Sequence, residues 1–556
     1  MVKKNSQKKI PASWWENSEN WISSKGSLIL LIAILTYAFF SFFTFNLRIS
    51  EGGDDSTYII RALSFIEEGK FPEYQGPIYP IFLSGLIFLF GLKLAVLKLS
   101  SWIFLTLAII VLFRAASKYV SRITLWGGLF ALIVNYHLLY FGSQTYSEAF
   151  FMMLQSIFIL YIFKLTDQLG KNPIPFQSTL FLAGLLLILF LTRTVAIAAL
   201  PALILFLLIK KQNKTALLVT LNFIILLFIY IGLKELFWGS TGNSSAQLQS
   251  LLMKHPYDSS QGKETFGGFI LRFIQNSNIY LSKHFVIFTG FKNALSLSKH
   301  SLITIFLYLW FFIGLKRFYR QNSHLLFTGI YLAFMLGTTF VALQPLWDQE
   351  RLIIPFYPLM LLFLAETVVS FTQNSPSATK QKLPALLLAL IVLLSTAQTV
   401  KRTDFQAIFR NLSGDRYYGY TPDWQNYLKM AEYTSQKLPA DSYVACRKPN
   451  MARLMAEGKK FYGIYRFDSQ NADTLINQLY QRGVTHIIVA SLRKNPRIRN
   501  GQVINTIHRY MKYIEEKYPN TFIFRKQVGK EEPAWLFEIN YNHWQQAHKA
   551  SNDTSR

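Results

Sequence analysis

The sequence predicts a mainly α, polytopic membrane protein that ends in a small α/β domain. Three observations point there. The 556 residues are 51% hydrophobic and only 16% charged, where a soluble domain is nearer ~25% charged. Apolar runs long enough to cross a bilayer recur from residue 26 to residue 400. Beyond residue 400 the pattern changes. Strand-like runs (SYVACR, THIIVAS, TFIFRKQV, AWLFEIN) there alternate with amphipathic helical ones (WQNYLKMAEYTSQ, DTLINQLYQRG, HRYMKYIEEKY).

The elements follow in order. The basic start MVKKNSQKK precedes Trp14 and Trp15. The first apolar run, from about Gly26 to Asn46, is too long for a signal-peptide core and lacks a clear small-residue cleavage site. It is expected to remain as the first membrane helix. Ten further spans are expected at 98–113, 124–141, 146–164, 178–192, 194–209, 215–236, 301–316, 324–343, 352–371 and 383–400, about eleven in all. One run is left out. PIYPIFLSGLIFLF, residues 77–90, would reach only about 21 Å as a helix, short of the ~30 Å hydrocarbon core. It is expected to lie at the interface or dip into it.

Loop charge supports this assignment. Arg114/Lys118/Arg122, Lys164/Lys171, Lys210/Lys211/Lys214, Lys316/Arg317/Arg320 and Lys380/Lys382 all fall on the cytoplasmic side if the N-terminus does. Counting 77–90 as a span would invert every later loop. The expected organisation is therefore a cytoplasmic N-terminus (1–26), a transmembrane domain (27–400) with outer loops 48–97 and 237–300, and an outer-face α/β domain (401–556). The net charge of +27 is spread over short loops, not gathered into a stripe, so no nucleic-acid partner is expected. A single cysteine, Cys446, allows neither an intrachain disulfide nor a cysteine-based metal site. No glycine-rich phosphate loop opens a tail helix, and no repeat is visible.

Two adjacent carboxylates, Asp54 and Asp55, stand just after the first span in EGGDDSTYIIRA. A carboxylate there is able to act as a general base towards an incoming hydroxyl or amine. Its neighbour would then raise the pair's effective pKa, or hold a tyrosine or a backbone amide. The plainer alternative is a solvated turn in which one of the two caps a helix.

The wider string resembles the first outer loop of the GT-C superfamily of glycosyltransferases. The resemblance runs through Asp54, Asp55, Tyr58 and Ala62, then Glu68-Gly69, then Gly76-Pro77-Ile78-Tyr79-Pro80. These are the polyprenyl-phosphate-sugar-dependent enzymes that include protein O-mannosyltransferases and the lipid A aminoarabinose transferase. Three later stretches resemble the same group in the same order: YFGSQTYSEAFFMML (140–154) with Glu148, FLTRTVAIAALPALI (190–204) with Arg193, and WDQERLIIPFYPLMLLFLAE (347–366) with Arg351 and Tyr357. The resemblance implies Asp54 as catalytic base with Asp55 beside it. It also implies a donor-phosphate or substrate-binding set of Arg351, Arg193, Tyr58, Glu148 and Tyr357.

The implied partners are a polyprenyl-phosphate sugar donor, a lipid, glycan or protein acceptor, and membrane lipid. The implied reaction inverts the sugar's anomeric carbon at the outer face of the membrane; the lack of retention signals and the sparse cysteine favour a bacterial cytoplasmic membrane. Two departures stand out. Gln75-Gly76-Pro77-Ile78 replaces the Lys or His that some relatives carry before a Pro-Pro pair, and Asp55 stands where many have Glu. The loop has no Asp-x-Asp metal motif, so no catalytic metal and no cofactor are expected.

Each residue also has a plainer reading. Arg193 would snorkel to the interface, Arg351 would bridge Asp348 or Glu350, and Glu148 would only favour a helix N-terminus. His137 would be buried and hydrogen-bonded, and His255 and Tyr257 would pack a loop. The competing function is a lipid-linked sugar flippase or transporter. Against it stand charged residues at span ends and not at the midplane, the absence of a repeat, and the appended tail.

Overall fold

The computed structural model describes residues 13–73, 76–169, 174–239, 251–255, 261–291, 300–465, 469–495, 498 and 500–553. The chain forms two compact units. One holds the chain up to Asn46, Phe65–Leu89 and Ala95–Ile408; the other holds Leu47–Ser64, Phe90–Leu94 and the chain from Phe409 on.

The first unit is helical. Among the described residues, eight helices are long and apolar enough to cross a membrane: Gly26–Thr44, Leu94–Ala116, Ser147–Thr166, Asn213–Trp238, Ser301–Gln321, Ser323–Ala342, Ile354–Thr372 and Ala378–Arg402. The apolar windows of Ser147–Thr166, Ser323–Ala342 and Ile354–Thr372 are 67%, 67% and 72% buried, against 17% for Gly26–Thr44 and Ser301–Gln321. The former make the centre of the bundle and the latter its rim. Leucine and phenylalanine on the rim helices, such as Leu28, Leu31, Leu302 and Phe306, point outward, as lipid-facing side chains do.

The remaining three of the eleven expected spans are present with a different geometry. The run expected as one helix over 124–141 is broken into Arg122–Ile133 and Tyr136–Gly142, bent by 59°. Asn135 makes the break. Its side chain accepts from the Leu138 amide at 3.1 Å, capping the second helix, and donates to the Phe288 carbonyl at 2.6 Å. The runs at 178–192 and 194–209 form the shorter apolar helices Phe176–Thr192 and Thr194–Ile209. Residues 77–90 form the 13-residue helix Ile78–Phe90. The chain reaches it through Gly76, whose φ is +90° and whose added Cβ would stand 2.4 Å from the Thr192 carbonyl oxygen. Only glycine fits there.

The second unit is an α/β domain. Its five-stranded sheet runs β2-β1-β3-β7-β6, with β1 Tyr443–Cys446, β2 Phe461–Gly463, β3 Val484–Ala490, β6 Phe522–Val528 and β7 Ala534–Ile539. β1 lies parallel to β2 and β3, while β3–β7 and β7–β6 are antiparallel. The four strand-like runs and three helical runs of the sequence all appear. The three-residue β2 and the two-residue pair β4 (Leu492–Arg493) and β5 (Val503–Ile504) do not stand out in the sequence.

Strand alternation sends Val444 and Cys446 to a core shared with Trp424, Tyr427 and Leu428 of helix Pro422–Lys437. Ala445 goes to a second core with Leu475 and Ile476 of helix Ala472–Gln481 and Ile514 of helix Thr506–Lys517. The result is two helical layers around one mixed sheet. Ile49, from the acidic segment, is buried in the first of these cores.

Candidate active site

The acidic pair opens the helix Asp54–Glu68. The turn before it passes through Gly53, in the left-handed region at φ +86°, a conformation that favours glycine. The Gly53 carbonyl accepts from the Thr57 amide and from the Ser56 and Thr57 hydroxyls. Asp54 is thus the first helical residue and not the cap. The two carboxylates differ. Asp55 is fully buried and accepts from the Ser50 amide (2.8 Å), the Ser50 hydroxyl (3.0 Å) and the Ser56 amide (2.8 Å). It holds the turn together. Asp54 is half-buried. Tyr58 lies one turn on, buried.

The tail grips this turn. The Tyr420 hydroxyl meets both the Ile49 amide (2.7 Å) and the Ile49 carbonyl (2.9 Å), and Asn411 accepts from the Leu47 amide at 2.9 Å. Lys448, two residues past β1, donates its ammonium to the carbonyls of Glu51 (2.9 Å) and Gly52 (3.4 Å). Asn450 donates to the Thr57 hydroxyl at 3.1 Å. Burial and the neighbouring Arg447 push the Lys448 ammonium down from its usual range, while Asp54, Glu51 and Asp55 pull it back.

A second set of expected residues gathers in the helical unit around the turn 143–148. Ser143, Gln144, Thr145, Ser147 and Glu148 are all buried there, at the start of helix Ser147–Thr166. Arg193 sits in extended backbone (φ −144°) between helix Phe176–Thr192 and the 3₁₀ turn Thr194–Ala198. That break aims its side chain at the turn. Nη1 is 2.8 Å from Glu148 and 3.5 Å from the Ser147 hydroxyl, and the guanidinium lies over the Phe151 ring. The arginine is ion-paired to a buried glutamate and does not reach out as a snorkelling side chain would.

Arg351 stacks over Tyr146 of the same turn, 5.3 Å from the ring centre, and donates to Gln349 at 2.8 Å. A third cation joins them. Lys98 is fully buried and donates to Gln144 at 2.9 Å. Lysine, arginine and arginine therefore meet one turn that carries a single carboxylate.

The acids flanking Arg351 are engaged by histidines. Asp348, in the left-handed region at φ +34°, meets His284 at 2.7 Å and Lys283 at 2.5 Å. Glu350 meets His137 at 3.0 Å. Burial alone would raise both carboxyls. His284 and Lys283 outweigh it and hold Asp348 below its usual range. His137, with help from His284 and Arg402, holds Glu350 down to about 2. His284 and Lys283 belong to the π-helical segment Asn278–Phe285. Tyr357 is buried against the Phe285 and Phe288 rings.

The expected residues thus fall into two groups. Arg193, Glu148 and Arg351 share one turn, and Tyr357 packs against Phe285 and Phe288. Asp54, Asp55 and Tyr58 belong to the other compact unit, with the tail. His137 is buried and paired as expected, and Tyr257 lies outside the described residues. Sequence reasoning missed Lys98, Lys448 and Asn450. A lysine at the edge of an apolar run was the available sign of Lys98, because a buried ammonium needs a partner. Lys448 had no local sign, since its partner lies almost 400 residues away. Among the described residues, no group of three or more His, Cys, Asp or Glu side chains is arranged to hold a metal ion.

No family model matches the sequence, and no curated protein matches it. Solved structures do. ArnT from Cupriavidus metallidurans, bound to undecaprenyl phosphate, superposes with a TM-score of 0.54 at 11% identity, over 94% of this chain and 99% of that one. The oligosaccharyltransferase AglB from Archaeoglobus fulgidus, in complex with an inhibitory peptide and a dolichol-phosphate, gives 0.50 at 12% identity, over 92% and 74%. The chain shares the polytopic helical fold of these two proteins over more than nine-tenths of its length.

Proposed function

We propose that the chain is an integral-membrane glycosyltransferase. It moves a sugar from a polyprenyl-phosphate donor to a lipid, glycan or protein acceptor at the outer face of a bacterial cytoplasmic membrane. The observation that carries this reading is the buried turn 143–148, on which Lys98, Arg193 and Arg351 converge in a fold shared with a protein that binds undecaprenyl phosphate.

In this reading the three cations meet the donor's phosphate. As the sugar's anomeric carbon parts from the phosphate oxygen, the electron pair stays with polyprenyl phosphate, and the growing negative charge is stabilised most in the transition state. Arginine suits that task because its planar fork stays charged and binds phosphate bidentately. Asp54 takes the proton from the acceptor's hydroxyl or amine as that atom attacks the anomeric carbon from the opposite side, which inverts it. Asp55 holds the turn, and no metal is required because side chains neutralise the leaving group.

The test uses purified protein in liposomes with a panel of polyprenyl-phosphate sugars, following release or transfer of the sugar. Wild type is expected to turn over at least one donor. Asp54→Asn is expected to lose about 10²–10⁴-fold, the usual worth of a general base, and Arg351→Ala to weaken donor use. Unchanged turnover in Asp54→Asn would remove the base. Movement of a donor across the bilayer without turnover would replace the transferase with a flippase.

A further inference from the structure

The tail has more to do with the acidic turn than cover it. From β1, the chain leaves the sheet at Cys446 and runs Arg447-Lys448-Pro449-Asn450 into the short helix Pro449–Met455. β1 is the central parallel strand, flanked by β2 and β3. Side chains just past the carboxyl end of such a strand are the ones an α/β sheet presents to a ligand. Here two of them are given to the chain's own segment 47–64. Lys448 closes on the Glu51 and Gly52 carbonyls, immediately before Gly53 and Asp54. Asn450 holds Thr57, one turn into the acidic helix.

The lysine is itself held. Its backbone amide donates to the Tyr427 hydroxyl at 3.1 Å, and its ammonium lies over the Trp424 ring. Both aromatic residues are buried in the tail's core. A Cβ added at Gly53 would stand 3.8 Å from the ammonium nitrogen, so the charge sits against the residue that precedes Asp54.

We propose that Lys448 is a positioning residue for Asp54. By tying the Glu51 and Gly52 carbonyls to the rigid end of β1, it fixes where the acidic helix begins and how the Asp54 carboxylate is presented. The tail is then part of the catalytic apparatus. This inference rests on the reading of Asp54 as the base. A tether of this kind acts on orientation, and a displacement of about 1 Å at a reacting group costs on the order of 10²-fold in rate.

Three variants test it: Lys448→Met, which keeps most of the apolar stem but not the ammonium, Lys448→Arg, which keeps the charge, and Asn450→Ala at the second anchor. Turnover is measured per folded molecule in liposomes, with kcat and the donor KM separated. Amide hydrogen exchange over residues 47–60 reads the tether without reference to activity. Lys448→Met is expected to exchange faster there and to lose about 10- to 100-fold in kcat, with the donor KM within about twofold. Lys448→Arg is expected to recover most of the loss.

Wild-type exchange in Lys448→Met would overturn the tether. Faster exchange with wild-type kcat would overturn the positioning role. A purely structural lysine would reduce the folded fraction and leave kcat per folded molecule unchanged, which also overturns it. Retained turnover in Asp54→Asn is separate: it removes the base, whereas the exchange result still stands or falls alone.

Discussion

Asp54 and Asp55 are adjacent and chemically alike, yet changing each to asparagine should do different things. The Asp55 carboxylate accepts from two backbone amides, Ser50 and Ser56, and from the Ser50 hydroxyl. An amide has only one carbonyl oxygen. Whichever way it turns, its NH₂ faces one of the two backbone N–H groups, so a buried donor loses its acceptor. A hydrogen bond to a charged group contributes about 1.5–3 kcal/mol, and the orphaned donor costs a similar amount. Asp55→Asn should therefore cost about 2–3 kcal/mol, confined to the turn.

At about 1.4 kcal/mol per tenfold, that is an acceleration of about 30- to 150-fold in exchange through local opening. Asp54→Asn keeps the side chain's size and removes a charge from a half-buried first-turn position, about 0.3–1 kcal/mol. Exchange over residues 47–60, measured beside donor turnover, separates the two. Asp54→Asn should exchange nearly as wild type and lose turnover, while Asp55→Asn should exchange fast and lose turnover through disorder of the turn. Equal exchange in the two variants would refute the division between a structural and a chemical carboxylate.

Three further outcomes follow from the geometry. Breaking the buried Arg193–Glu148 pair leaves Glu148 without its counter-ion, so Arg193→Ala should lose about 3–5 kcal/mol; thermal unfolding in detergent should find the Arg193→Ala/Glu148→Gln double variant more stable than the sum of the single losses, and strict additivity would deny the pair. Glu350 is held down to about 2 against an ordinary value of 4.5, so its contribution to stability is complete above about pH 4.5 and fades as pH falls towards 2; a melting series should show that acid loss shrinking in Glu350→Gln. Burial pushes the Cys446 thiol up to about 12, so maleimide should label the folded protein only as the tail opens; prompt labelling at neutral pH would contradict the buried core.

The membrane helices were legible because a bilayer enforces length and apolarity together. Even the broken span at Asn135 reads as apolar throughout, and only the capping side chain marks the break. The tail's longer strands and helices were legible from their periods, whereas β2 is too short to show one. Arg193, Glu148 and Arg351 could be named one at a time, but their common turn is a product of packing between distant segments. The grip of Lys448 on Glu51 was invisible for the same reason: local chemistry at Arg447-Lys448-Pro449 looks like any basic turn.

The π-helical segment Asn278–Phe285 has an evolutionary reading. Such a segment is an α-helix that has taken in one extra residue, absorbed as a wide turn and not expelled as a loop. A deletion of a single codon between residues 278 and 282 would return the stretch to an ordinary helix and leave its length and apolarity almost unchanged. Yet it would rotate Lys283 and His284 by about 100° relative to the helix before them, and Asp348 would lose both partners at once. Drift in chain length at this point would be invisible to folding but not to the loop that carries Arg351. Descendants of this gene should therefore tolerate substitutions here more readily than indels.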